Sequence, residues 1–219
     1  MIEKSVKDKK LINWIIKIFW ILVIGSIFGF FVEMLYALVY TRNFEIRKGL
    51  IYGPFIQIYG FGALAYYLLI IKTKQPKEVF TYGMIMGGVL EYLCSFFQEI
   101  LFGTISWDYS NFFMNLNGRI CLQYCVYWGI IAIMYLKIVY PWFERIEPLI
   151  YKKSIRIFTI FFMIFIIYDV TISCMASSRE QRRHQNIAPQ NVIDEYLDRT
   201  YPDELLDKIY SNKKEVNII

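Results

Sequence analysis

The chain has a single histidine, His184, and it lies in the polar C-terminal region. A histidine-based metal site or catalytic triad is therefore not expected. The four cysteines, Cys94, Cys121, Cys125 and Cys174, match neither a disulfide framework nor a metal ribbon, although Cys121 and Cys125 lie one helical turn apart. They read as small buried hydrophobes. No Gly-Lys dipeptide occurs, which excludes the Gly-x-x-x-x-Gly-Lys-Ser/Thr loop and ATP hydrolysis through a Walker-type site. Gly-x-Ser-x-Gly and His-Glu-x-x-His are missing as well, removing the familiar hydrolase and zinc-peptidase chemistries. Tandem repeats of solenoid period and low-complexity tracts are also lacking.

Apolar residues are abundant. Of 219 residues, 57% are hydrophobic and 19% aromatic, which fits a soluble globule of this length badly. Five apolar stretches, near 14–40, 52–71, 79–102, 120–140 and 154–175, reach the roughly 20 residues that a helical span requires. The first is too long for a signal peptide and lacks a small-residue cleavage site. The expected fold is all-α: a polytopic membrane helical bundle over 1–175, followed by a polar tail over 176–219. Within the tail, Asn191–Arg199 and Pro202–Tyr210 read as short amphipathic helices, with Ile193, Tyr196, Leu197, Leu205, Leu206 and Ile209 on the apolar face.

The net charge of +5 reflects where basic residues fall rather than a nucleic-acid partner. Lys4, Lys7, Lys9, Lys10 and Lys17 lead into the first span. Lys72, Lys74 and Lys77 follow the second, and Arg145, Lys152, Lys153 and Arg156 follow the fourth. The positive-inside rule then makes the N-terminus cytoplasmic and puts the first and third loops outside. Five spans leave the tail outside too, although Arg179, Arg182 and Arg183 argue for the other side.

Several acids interrupt the apolar stretches. A charged carboxylate at the bilayer centre costs roughly 2.5–3.5 kcal/mol on insertion scales, so such residues usually face a protein interior or a water-filled cavity. Gly25, Gly29 and Glu33 recur at intervals of four, and so do Gly83, Gly87 and Glu91. The glycines allow close helix approach. Glu91, Ser95 and Glu99 lead into a loop carrying Asp108, Asn115, Asn117 and Arg119. These eight residues (Glu33, Glu91, Ser95, Glu99, Asp108, Asn115, Asn117, Arg119) form the expected polar pathway, with Lys48, Tyr59 and Asp169 supporting it. Convergence of Glu33, Glu91 and Glu99 would raise at least one carboxyl pKa. Two plainer readings stand beside this. The acids can be hydrogen-bonded at packing seams, and Arg119 can form a structural ion pair with Asp108 or Glu99. The carboxylates admit Mg²⁺ or Ca²⁺, but no spacing establishes a metal and no cofactor is assigned. Between Gly49 and Gly62, Gly, Pro and Tyr predict either a broken, re-entrant start to the second span or an ordinary turn before a tilted helix.

Taken together, Glu33, Gly49-Leu50-Ile51-Tyr52-Gly53-Pro54, Ile58-Tyr59-Gly60-Phe61-Gly62-Ala63, Glu91-Tyr92, Trp107-Asp108-Tyr109-Ser110 and Asn115-Leu116-Asn117-Gly118-Arg119-Ile120 resemble the putative ABC-transporter permease family, type IV or CmpB-like, of Clostridia and related Firmicutes. The resemblance covers roughly 19–141, and Tyr201-Pro202-Asp203 also looks similar. It implies a multi-pass protein of the bacterial cytoplasmic membrane. Lys48 stands where the family commonly has arginine, and Gln57 where it has proline. The first change keeps the charge but loses the planar fork.

Three functions are compatible with these residues. The first is transport of a small polar or anionic solute, which calls for a separate ATPase subunit or proton coupling. The second is an intramembrane enzyme acting on a lipid headgroup with a glutamate base and Arg119 on the phosphate. The third is a non-catalytic assembly subunit. The bilayer is a partner in each, and a homo-oligomer is compatible with all three. Pro141–Ser154, the expected fourth loop, shows no pattern of an ATPase-coupling element.

Overall fold

The computed structural model describes residues 2–42 and 46–216. In chain order the helices are α1 (Ile2–Thr41), α2 (Gln57–Ile70), α3 (Pro76–Phe102), α4 (Leu122–Met134), α5 (Tyr140–Ile150), α6 (Lys153–His184), α7 (Val192–Thr200) and α8 (Asp203–Ile209). Four two-residue strands accompany them: β1 (Thr104–Ile105), β2 (Asn115–Leu116), β3 (Ile120–Cys121) and β4 (Lys214–Glu215). The fold is an all-α polytopic bundle. Among the described residues, four helical stretches are long and apolar enough to cross a membrane: Lys9–Val39, Pro76–Phe102, Leu122–Ile150 and Lys153–His184.

The second expected span differs. α2 has 14 helical residues, about 21 Å at 1.5 Å per residue, against about 30 Å of hydrocarbon. The stretch before it is broken, and its backbone groups are met by protein as irregular backbone in a membrane requires. Gly49 N–H donates to Phe55 O at 2.8 Å, and the Gln57 side chain donates to Gly49 O at 3.1 Å. Ile51 N–H reaches Ser173 Oγ at 2.9 Å, and Tyr52 N–H reaches Asp169 Oδ1 at 3.0 Å. Gly53 supplies the left-handed turn with φ of 80°.

The expected fourth loop is largely helix. A π turn over Tyr135–Val139 joins α4 to α5, which ends at Ile150, so only Tyr151 and Lys152 separate it from α6. Pro141 lacks the N–H that would continue the ladder, and the widened turn before it lets the helix run on.

Two hairpins form the centre. α1 and α2 are antiparallel, with Gly25 against Ala63 and Gly29 against the Tyr59 ring. α3 and α4 repeat the arrangement, with Gly83 against Ala132 and Gly87 against Trp128. α3 begins with Pro76 in its first turn and stops at Gly103, whose φ of 62° suits a left-handed cap. α6 lies along α1, where Trp20 donates to Thr159 Oγ1 at 3.0 Å and Phe19 meets Phe162 edge-on. Tyr66, Ile70, Val79, Ala132 and Phe143 are buried where these elements meet.

One end of the bundle carries the lysine-rich turns. Lys17 bonds Tyr67 at 2.8 Å and Glu147 at 2.6 Å, and Arg156 donates to Asn13. The opposite end carries the α1–α2 connection, the α3–α4 loop and the tail. The tail is not separate from the bundle, because α6 runs past Ala176 to His184 and the following helices fold back onto it. Arg179, Arg182 and Arg183 pair with Asp198, Asp194 and Asp203. Asn191 caps α7 by accepting from Asp194 N–H at 2.9 Å. Leu197 and Leu206 are fully buried against Ala176, whereas Ile193, Tyr196 and Leu205 of the expected apolar face point outward. β4 pairs with β1, and Tyr210 bridges to Arg47. Among the cysteines, Cys121 is buried, Cys94 and Cys125 are half-buried, and Cys174 is exposed, contrary to its reading as a buried residue. All four are free.

Candidate functional site

Each central hairpin aims an aromatic donor at a glutamate. On α1, Gly29 clears space for the Tyr59 ring, and the Tyr59 hydroxyl donates to Glu33 Oε1 at 2.8 Å. On α3, Gly87 clears space for the Trp128 ring, and Trp128 Nε1–H donates to Glu91 Oε2 at 2.6 Å. The two rings meet each other, with centroids 5.7 Å apart. The polar centre therefore lies at the contact between two similar hairpins.

Glu91 is 5% exposed, and its second oxygen accepts the Tyr109 hydroxyl at 2.7 Å. Tyr109 comes from the α3–α4 loop and stacks on Tyr124 at 4.3 Å, and the Tyr124 hydroxyl lies 3.1 Å from that of Tyr36 on α1. Burial pushes the Tyr109 hydroxyl well above the usual phenol range, and Glu91, Tyr124 and Glu33 push it further. Tyr109 is thus a fixed donor at neutral pH. Arg47 lies 3.6 Å from Glu33 Oε2 and over the Tyr36 ring.

Glu99 belongs to a different group. Arg119 pairs with Glu99 at 2.6 Å, donates to Ser95 Oγ at 3.3 Å and lies over Phe96 and Tyr92. The ion pair is one of the plainer readings of Arg119. Asp108 and Asn115 bond within the loop itself. Asp108 accepts from Ser110 N–H and Oγ–H, bonds that hold its carboxyl below the usual range, side-chain bond first. Asn115 donates to Ser110 O and Phe112 O and accepts from Gly118 N–H. Asn117 takes a left-handed φ of 54° and donates to the Tyr92 hydroxyl at 3.0 Å.

Asp169 forms a third group. It is fully buried on α6, with Oδ1 holding Tyr52 N–H and Ser173 Oγ while Oδ2 has no partner. The Lys48 backbone N–H bonds Ile209 O in the tail. The expected pathway residues thus fall into a Glu33–Tyr59–Glu91 centre, a Ser95–Glu99–Arg119 group, a loop scaffold and the α1–α2 entrance. Tyr109, Trp128 and Arg47, absent from the expected set, complete the first. Trp128 could have been found from its pairing with Gly87, because an indole in an apolar helix needs an acceptor.

Residues 20–174 match the family model described as Putative ABC-transporter type IV. The chain belongs to this family. Neither a curated protein nor a solved structure matches it. The part that matches the type IV family contains both hairpins, Glu33, Glu91, Glu99, Arg119 and Asp169, and stops before Arg179. The chain is therefore a membrane protein of a transporter family, with its polar centre inside the family region and its tail clamp outside it.

Proposed function

We propose that this chain is a membrane subunit that moves a small polar solute between its two hairpins, powered by a separate ATPase. The observation that carries this reading is the placement of Glu33 and Glu91 at the contact between two similar hairpins. Transporters with internal repeats commonly bind substrate at the repeat interface. Family membership supports the transport class and makes a separate ATPase plausible, since the chain lacks a Walker loop.

The charge pattern favours a neutral or cationic solute over an anionic one. Arg47 lies against Glu33 and Arg119 against Glu99, while among the described residues Glu91 is held by the neutral donors Tyr109 and Trp128. The enzymatic reading assigns Arg119 to a headgroup phosphate, and that role competes with its bonds to Glu99 and Ser95. The lysine-rich end is the cytoplasmic one by the positive-inside rule, in a bacterial cytoplasmic membrane. An ATPase would then meet the start of α1 and the turns Ile71–Gln75 and Tyr151–Lys152, which lie at that end.

The test is uptake into proteoliposomes holding the chain and a co-purified ATPase, using a labelled panel of polyols, zwitterionic amino acids and quaternary amines. ATP-dependent uptake of one class, reduced at least about tenfold by Glu91→Gln, supports the reading. Uptake that is equal in wild type and Glu91→Gln removes Glu91 from the pathway. ATP-independent turnover of a lipid headgroup would favour the enzyme instead.

A further inference from the structure

At the tail end of the bundle, three separate elements bring metal-ligating atoms together. Glu180 and His184 are one turn apart on α6, Asp203 is the first residue of α8, and Glu215 lies on β4. Ligand atoms of Glu180, His184 and Asp203 all lie within 4.8 Å of one another. Glu180 is 3% exposed. A cavity of about 230 Å³ is lined by Glu180, His184 and Glu215, together with Gly103 and Thr104.

The two imidazole nitrogens have different surroundings. Nδ1 lies 2.7 Å from Glu215 Oε1, and Nε2 lies 3.3 Å from Asp203 Oδ2. A carboxylate on one ring nitrogen is the usual device that fixes the tautomer and presents the other nitrogen to a metal. With Nδ1–H bonded to Glu215, the Nε2 lone pair faces a carboxylate oxygen, and that juxtaposition requires a proton or a cation between them. Two bonds of about 2.0–2.1 Å at the tetrahedral angle separate their ligand atoms by about 3.4 Å, close to the observed gap. Asp203 Oδ1 is already held by Arg183, so Oδ2 is the oxygen left for an ion.

We propose that Glu180, His184 and Asp203 form a binding site for a first-row divalent cation such as Zn²⁺, with Glu215 orienting the imidazole. The mixed nitrogen and carboxylate set suits zinc or its neighbours better than the all-oxygen preference of Mg²⁺ or Ca²⁺. Lys213, 2.5 Å from Glu180 Oε1, is the cation that the metal displaces from that oxygen. The ion fastens α6 to α8 and β4, so attachment of the tail becomes cation-dependent. The site is independent of the Glu91 centre and of the transport reading.

The test uses the full chain, stripped with chelator in detergent and titrated with Co²⁺ by visible absorption and with Zn²⁺ by equilibrium dialysis. One ion per chain is expected, without a thiolate-to-cobalt charge-transfer band. His184→Ala should weaken binding at least about tenfold, since even loss of an outer-sphere partner costs that much. If that variant misfolds, His184→Gln keeps a side chain able to donate to Asp203 or Glu215 but lacks an imidazole nitrogen, and should show the same loss. Absence of saturable binding would overturn the site. So would wild-type affinity in a folded His184 variant, or a thiolate band, which would place the ion on the free cysteines. Glu204→Gln, in the same helix turn but outside the ligand set, should bind as wild type.

Discussion

Trp128 donates its indole N–H to Glu91 at 2.6 Å across the position of Gly87, where a Cβ would lie 2.3 Å from the indole ring. The glycine and the glutamate one turn beyond it are thus two halves of one device. The first makes room for the ring and the second receives its proton donor. Gly29, Tyr59 and Glu33 do the same on the other hairpin.

Gly87→Ala should therefore destabilise the protein by about 1–3 kcal/mol through overpacking. Gly62→Ala is the comparison, because its Cβ would meet Trp128 at a milder 3.2 Å. Thermal unfolding in detergent checks this, and equal midpoints for the two variants would contradict it.

Trp128→Phe keeps most of the ring but removes the donor. Glu91 then loses one of its two bonds while staying buried, at a cost of about 1–3 kcal/mol. The cost should shrink when Glu91→Gln is already present, because the amide no longer carries a charge that needs the donor. A double-mutant cycle reads that coupling directly, and strictly additive effects would mean that the indole bonds the amide as well as it bonds the acid.

Arg179 is 1% exposed and makes a bidentate pair with Asp198 plus a bond to Ile187 O. Arg179→Met leaves Asp198 with Arg183 alone. Removing one partner of a buried pair typically costs about 3–5 kcal/mol. The expected signature is rapid proteolysis between Gln185 and Gln190 with the bundle still folded. Protection equal to wild type would argue that the apolar contacts of Leu197 and Leu206 suffice.

The same clamp should respond to acid. Hydrogen bonding to Arg179, then to Arg183, holds the Asp198 carboxyl below its usual range. The Gln190 backbone N–H, then Arg182, does so for Asp194. A depressed folded-state pKa contributes stability that is complete above the unfolded value of about 3.9 and is lost as pH falls through the folded value. Tail protection should thus be flat from pH 7 to about pH 5 and decline below about pH 4. A decline that begins well above pH 5 would contradict the assignment to these carboxylates.

The bundle was legible because long apolar stretches dominate this chain, and four of the five match helices that can span a membrane. The second was read too long. Apolar composition continues through Tyr52–Phe55, but Gly53 and Pro54 break the helix, and composition alone does not register backbone geometry. The fourth loop was read from Pro141, whose helix-breaking effect a π turn absorbs. Within the site, Glu33 and Glu91 were visible as acids at a glycine seam. Glu99 was grouped with them by helical spacing, but Arg119 holds it in a separate group. Tyr109 and Trp128 were hidden because aromatics are frequent in membrane chains and their acceptors lie on other elements. His184 is solitary in the sequence, and the fold of the tail brings Asp203 and Glu215 to it.

The pairing of β1 with β4 carries a consequence for the order of synthesis. Thr104–Ile105 leaves the ribosome about a hundred residues before Lys214–Glu215, so the edge of β1 stays unmatched until those residues follow, and the backbone of Arg47 until Tyr210 does. All the long apolar helices have been made by then. A chain truncated before Tyr210 would hold the long apolar helices yet keep two open hydrogen-bonding edges. Tyr210 and β4 therefore act as a seal on a bundle whose long helices precede them in the chain.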